Sequence, residues 1–99
     1  MTDKAIERRL KKRLGVDFLS VSEKYPDDDG CLRRMGEIGV EKTMLLSRIY
    51  EMCEETAKAF GGVFGDGLRI ESGTALFVIA YDEYVDPPHP CNVYREDPL

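Results

Sequence analysis

The hydrophobic pattern is clearest in residues 41–60, where it predicts the main helix of the chain. Side chains suited to a core recur there at spacings of three and four residues, as one side of an α-helix requires. One stripe consists of Leu45, Ile49, Met52, Cys53, Thr56 and Phe60, and a second of Leu46, Tyr50, Cys53 and Ala57. Together they span about half of the circumference, wider than the stripe of an ordinary surface helix. We therefore expect more than one element to cover this helix.

A period-two pattern follows the glycines at 61 and 62 and predicts an antiparallel β-meander over residues 62–85. Residues 68–72 alternate between apolar and charged positions, and Ser72-Gly73 is a turn sequence. Residues 74–84 are β-branched, aromatic and apolar on both faces, which predicts a strand buried on both sides. One face carries Ala75, Phe77, Ile79 and Tyr81, and the other Leu76, Val78 and Ala80.

The first part of the chain is predicted to be mainly helical. Asp3 is a suitable N-cap and Gly15 a suitable C-terminal residue for a helix over residues 4–14, within a basic segment of residues 1–15. Residues 16–25 fit a short helix capped by Asp17 or a strand, and we expect the helix. Residues 26–30 form a solvated turn. Residues 31–39, with glycines at 36 and 39, are predicted to be a helical turn and a loop.

Length and proline content complete the predicted fold. Ninety-nine residues suit one domain with a modest core. Prolines at 87, 88 and 90 predict an extended tail over residues 86–99, with room for a short edge strand at 92–95. The predicted fold class is α+β: N-terminal helices and a long central helix over residues 40–60, packed on a small C-terminal antiparallel β-meander.

These elements leave apolar surface uncovered. The main helix requires cover over half of its circumference and the strand over both faces, and one short N-terminal helix cannot supply both. We therefore predict a homo-oligomer, with a dimer favoured. The residues predicted to self-associate are Leu46, Tyr50, Leu76, Val78 and Ala80.

Charge is unevenly distributed along the chain. Residues 1–14 carry six Lys/Arg against two acids, a balance of +4, whereas residues 15–99 carry eight against seventeen, a balance of −9. Such a basic helix binds an acidic partner, docks on the acidic turn of its own or a sister chain, or neutralises nucleic-acid phosphates. Its apolar residues are too few for firm membrane insertion. The candidate contact residues are Lys4, Arg8, Arg9, Lys11, Lys12 and Arg13.

The cysteine pattern predicts reduced thiols and a cytoplasmic protein. Three cysteines form an odd number without a CxxC motif, and no secretion signal opens the chain. Cys53 belongs to the helical stripe. Cys31, His89 and Cys91 are ligand types for zinc, but Cys31 lacks a short-spaced partner. No metal site and no cofactor are therefore expected.

No arrangement of residues predicts catalysis. His89 stands between prolines, and Asp82 and Glu83 are neighbours on a strand, so their side chains point to opposite faces. The glycine-rich residues 61–67 follow a helix and precede a strand, the reverse of a phosphate-binding loop.

The sequence thus predicts a small non-enzymatic interaction or regulatory module that self-associates and binds another macromolecule, a protein in the first place, through charged surfaces. The first alternative is a nucleic-acid-binding regulatory protein that uses the basic helix. The second is a small Cys/His metal-binding protein or enzyme.

Overall fold

The computed structural model describes residues 2–65 and 67–84, and for residues 82–84 it describes the backbone alone. Two helices and six strands follow one another in these residues. Their bounds are α1 (Asp3–Leu14), β1 (Leu19–Val21), β2 (Tyr25–Pro26), β3 (Cys31–Gly39), α2 (Leu46–Ala59), β4 (Val63–Phe64), β5 (Arg69–Glu71) and β6 (Thr74–Tyr84). All strand pairs are antiparallel, which confirms the α+β class. The tail predicted over 86–99, with its edge strand at 92–95, lies outside the described residues.

Strands β3 and β6 form the centre of the sheet. β1 and β2 pair one after the other with the outer edge of β3, and β4 and β5 pair in the same way with the outer edge of β6. The six strands therefore occupy four positions across the sheet, in the order β1–β3–β6–β4. The predicted meander is wrong in its connectivity: the segment supplies β4, β5 and β6, but β4 and β5 both pair with β6 and not with each other. The turn at Ser72-Gly73, with both residues at positive φ, joins β5 to β6 as expected.

Two predictions for the first half of the chain are wrong. Residues 19–21 and 25–26 are strands rather than a helix, and residues 31–39 are a nine-residue strand rather than a helical turn and loop. The glycine at 36 suggested a loop, but it lies opposite Phe77, whose ring fills the space that a side chain would need. In the sequence alone, a glycine required for close packing cannot be distinguished from a glycine required for a turn.

The helix ends differ from the predicted ones by a few residues. The side chain of Thr2, rather than that of Asp3, caps α1 by accepting a hydrogen bond from the Ala5 N–H at 3.1 Å. Gly15 ends the helix with φ at 69°, as predicted. Helix α2 begins at Leu46 rather than at residue 41, because residues 42–44 form a turn. Neither helix is long and apolar enough to cross a lipid bilayer.

The core lies between the two helices and one face of the sheet. Leu10 and Leu14 of α1 and Met52 and Cys53 of α2 pack with the predicted inner face of β6. That face, with Ala75, Phe77, Ile79 and Tyr81, is buried as expected. The prediction that β6 is buried on its other face as well is wrong: no described helix covers that face, and Leu76 and Val78 are half-buried there.

Candidate interaction site

Helix α1 directs its apolar residues inwards and its cations outwards. Leu10 and Leu14 are buried in the core, and Ile6 packs against it. All six cations of the predicted site are exposed: Lys4, Arg8, Arg9, Lys11, Lys12 and Arg13. The structure therefore places them together on one outer surface, which we call the basic surface of α1.

The two acids of α1 are both occupied in fastening the helix to the sheet. The carboxylate of Glu7 accepts a hydrogen bond from the backbone N–H of Val21 at 2.9 Å. The carboxylate of Asp3 lies 2.8 Å from Nη1 of Arg34, in β3. Since both carboxylates already bind groups of the sheet, little negative charge remains to balance the cations of the basic surface.

Most of these cations have no acidic neighbour. Lys4 lies 4.0 Å from Glu7, and Arg13 lies 3.9 Å from Glu55 of α2, both at the outer limit of an ion pair. Arg8, Arg9, Lys11 and Lys12 form no ion pair with any described carboxylate. Like charges at i and i+4, as in Arg8 and Lys12, also repel one another weakly. The surface therefore carries a concentrated positive charge that an external anion would relieve.

Arg34 connects α1 to the rest of the fold. Besides Asp3, its guanidinium donates to the Ser22 carbonyl at 3.0 Å and to the Tyr81 hydroxyl at 3.0 Å. That hydroxyl in turn donates to the Phe60 carbonyl at 2.7 Å. Burial opposes the charge of Arg34, but the hydrogen bonds and charges of Asp3 and Tyr81 outweigh it and raise the pKa of Arg34. Sequence reasoning missed this residue because its partners are distant in the chain.

The acidic turn is engaged with its own neighbourhood rather than with α1. The carboxylate of Asp27 accepts hydrogen bonds from the backbone N–H groups of Asp29 and Cys31, each at 2.9 Å. Its second oxygen lies 3.3 Å from Nη2 of Arg33. These contacts organise the turn before β3. The basic surface of α1 is thus left open to another molecule.

A shallow groove runs along the border between the two helices. It has a volume of about 260 Å³, and its lining includes Arg9 and Arg13 above the apolar side chains of Ile6, Leu10 and Ala59. A ligand that follows α1 could therefore place apolar groups in the groove beside two guanidinium groups. Nothing in the sequence pattern predicted this groove, because it depends on how α2 crosses α1.

The residues predicted to self-associate fall on two separate surfaces. Leu46 and Tyr50 are exposed on α2, in the helical layer. Leu76, Val78 and Ala80 lie on the helix-free face of the sheet, beside Glu37, Met35 and Arg33 of β3. One contact area cannot contain both sets, because the sheet separates them.

The cysteines differ from one another in their chemistry. Cys31 is disulfide-bonded, so the prediction of reduced thiols is wrong for this residue, and a disulfide sulfur is not the thiolate that zinc binds. Cys53 is a free thiol in the core, and burial followed by the nearby charge of Glu54 raises its pKa to about 12. His89 and Cys91 lie outside the described residues. Among the described residues, no three side chains of His, Cys, Asp or Glu are grouped as metal ligands.

The glycine-rich segment ends a helix, as predicted. Gly61, at φ of 79°, follows the end of α2, and the Gly65 N–H donates to the Val78 carbonyl at 2.7 Å. The segment leads into strands rather than into a helix, so no helical N–H groups face a phosphate. Asp66 of this loop and the side chains of Asp82 and Glu83 are outside the described part of the chain.

Comparisons of this chain with protein-family models, with curated proteins and with solved structures find no significant match.

Proposed function

We propose that this protein is a small interaction module that binds an acidic surface of another protein through the basic surface of α1. The observation that carries the proposal is the arrangement of charge on this helix. Both of its acids bind groups of the sheet, and four of its cations have no acidic partner among the described residues. Separated charges of this kind favour fast, salt-dependent association with an acidic partner.

Nucleic acid is the second candidate, since a row of exposed Lys and Arg also neutralises phosphates. Two features favour a protein partner. No aromatic side chain stands among the cations of α1 for base stacking, and the chain outside residues 1–14 carries a formal charge of −9, which repels a polyanion that extends beyond the helix. A compact acidic protein surface avoids that repulsion more readily than a long phosphate backbone does.

Binding of labelled poly-L-glutamate, measured by fluorescence anisotropy, tests the proposal. In the test variant, Arg8→Glu is combined with Lys12→Glu, which reverses two unpaired cations of α1 without touching the core. The matched control combines Lys42→Glu with Arg48→Glu near the start of α2, with the same change in net charge. We expect the test variant to lose affinity by about tenfold or more and the control by about twofold or less.

Three results would contradict the proposal. Equal losses in both variants would show that net charge alone governs binding, and no measurable binding by the unchanged protein at low salt would exclude an acidic polypeptide. Tighter binding of a single-stranded oligonucleotide than of poly-L-glutamate of equal length, with a strong dependence on salt, would favour nucleic acid instead.

A further inference from the structure

The two ends of the helix-free face of the sheet differ in exposure. At one end, Cys31 of β3 is 1% exposed and Ala80 of β6 is 6% exposed. Both side chains are buried, but neither belongs to the core between the sheet and the helices. Further along the same face, Met35 is 38% exposed. The end of the face at Cys31 is therefore covered, and the helical layer does not supply the cover.

Cys31 lies on this face because its neighbour in the strand packs in the opposite direction. Side chains alternate along a strand, and Leu32 packs against the core, so Cys31 and Arg33 point away from it. The register shift between Cys31 and Arg33 adds its extra residues to β6, which preserves the alternation along β3. The Cys31 N–H donates to the carboxylate of Asp27, and its carbonyl accepts from the Asp27 N–H, each at 2.9 Å. These bonds hold the backbone of Cys31 in place.

The disulfide of Cys31 indicates what covers this end of the face. Cys31 is disulfide-bonded, and Cys53 is a free thiol in the core. The chain contains three cysteines, so Cys91 is the partner that remains for Cys31 within the chain. Strand β6 ends at Tyr84, directly opposite Cys31, and six residues separate Tyr84 from Cys91. Because the Cα atoms of a disulfide usually lie about 4.4–6.8 Å apart, these six residues have to return to the end of β6.

The sequence after β6 suits such a return. Prolines at 87, 88 and 90 lack the N–H that a continuing strand would need, which favours a loop. After Cys91, Val93 and Tyr94 supply two apolar side chains. Four residues of extended chain span about 13 Å, which equals the distance along β3 from Cys31 to Met35. Residues 92–95 are therefore long enough to cross the end of the face that is buried.

We propose that a disulfide between Cys31 and Cys91 anchors the segment after β6 on the helix-free face, with residues 92–95 covering the end of the face at Cys31. The disulfide makes this cover reversible. A dithiol reductant delivers two electrons and two protons to the sulfur–sulfur bond, becomes a cyclic disulfide itself, and leaves a thiol on each cysteine. Without the bond, only the apolar contacts of Val93 and Tyr94 hold the segment. The proposal is independent of binding by α1, because that helix lies on the other face of the sheet.

Peptide mapping without reduction tests the bond. The unchanged chain is equilibrated in a glutathione redox buffer, unfolded in urea, alkylated with iodoacetamide and cut with trypsin. We expect residues 25–33 to be joined to residues 70–95, with a mass two hydrogens below the sum of the two peptides, and Cys53 to be alkylated in residues 49–58. Alkylation of both Cys31 and Cys91 would overturn the proposal. A link from residues 25–33 to a second copy of themselves, or to residues 49–58, would overturn it as well.

Alkylation of the native protein tests the cover. Cys91→Ser removes the anchor and leaves Cys31 as a thiol, whereas Cys53→Ser is the matched control and should keep the link between residues 25–33 and 70–95. In Cys91→Ser, we expect iodoacetamide to alkylate Cys31 at least about tenfold faster than Cys53, whose slow reaction shows that the core is intact. The unchanged chain in the presence of a dithiol should show the same difference between Cys31 and Cys53.

A Cys31 thiol that reacts as slowly as Cys53, both in Cys91→Ser and in the reduced chain, would show that residues 2–84 bury this position by themselves. That result would overturn the proposed cover even if the disulfide is present. Neither experiment depends on the binding of poly-L-glutamate, so the proposal and the proposed function can fail separately.

Discussion

At the scale of single residues, the tightest packing in the sheet occurs at Gly36. A Cβ built at this position would lie 2.4 Å from Cζ of Phe77, whose ring is almost completely buried. We expect Gly36→Ala to lower the free energy of unfolding by about 1–3 kcal/mol, because either the ring or the strand must shift. Urea denaturation followed by circular dichroism measures the change.

Gly39→Ala, in the same strand, is the matched control. Its Cβ would lie 3.3 Å from Cβ of Phe18, so a shift of only a few tenths of an ångström relieves the contact. This substitution should cost less than Gly36→Ala by at least about 1 kcal/mol. Equal losses in the two variants would show that Phe77 does not occupy the space above Gly36.

Cys53 provides a test of the core by pH and by reactivity. Its pKa of about 12 leaves roughly one thiol in three thousand ionised at pH 8.5, so iodoacetamide should alkylate it slowly in the native protein and rapidly in denaturant. The fold favours the neutral thiol. The contribution of the neutral Cys53 thiol to the free energy of unfolding is therefore complete below its ordinary pKa of 9.0 and is lost as pH rises towards 12. Mass spectrometry of the labelled peptide would contradict the buried position if native alkylation were fast.

At the scale of elements, Arg34 determines how α1 is held against the sheet. Arg34→Met keeps much of the side-chain volume but removes the donors to Asp3, Ser22 and Tyr81. We expect a loss of about 1–3 kcal/mol in the free energy of unfolding, because three charge-assisted hydrogen bonds are lost, of which the one to Tyr81 is partly buried and the other two are exposed to solvent. Thermal or urea unfolding monitored by circular dichroism gives the value.

Arg48→Met is the control for Arg34. The ion pair between Arg48 and Glu51 is shorter, at 2.6 Å, but both side chains are substantially exposed. Removing it should change the free energy of unfolding by no more than about 0.5 kcal/mol, since solvent screens such pairs. A similar loss in the two variants would mean that Arg34 does not connect the elements as described.

The elements that the sequence predicted well are those with a strong local pattern. Strand β6 has the predicted bounds because both of its faces are apolar over residues 75–81, and α1 ends at the predicted Gly15. The register of β3 could not be predicted, because Gly36 owes its place to Phe77, forty-one positions later in the chain. Strand β1 has only three residues, and its pairing with β3 defines it as a strand.

At the scale of the whole molecule, the two sides of the protein differ in their character. The helical side carries the basic surface of α1, and the opposite side carries a sheet face on which the apolar Met35, Leu76 and Val78 stand among charged residues of β3 and β5. The cations of the candidate site were predictable from the sequence, because they are contiguous on one helix. The lack of acidic partners for these cations could not be predicted, because it depends on the contacts that Val21 and Arg34 make with the two acids of α1.

The most direct test of the proposed function is to map where an acidic polypeptide contacts the full chain. Backbone amide resonances of the labelled protein would be followed by NMR while a short poly-L-glutamate peptide is added at low salt. We expect the largest shifts at Arg8, Arg9, Lys11 and Lys12, with further changes at Ala59 beside the helical groove, and a loss of all of them at high salt. Shifts concentrated on β4 and β5, or no shifts at any peptide concentration, would contradict the assignment of binding to α1.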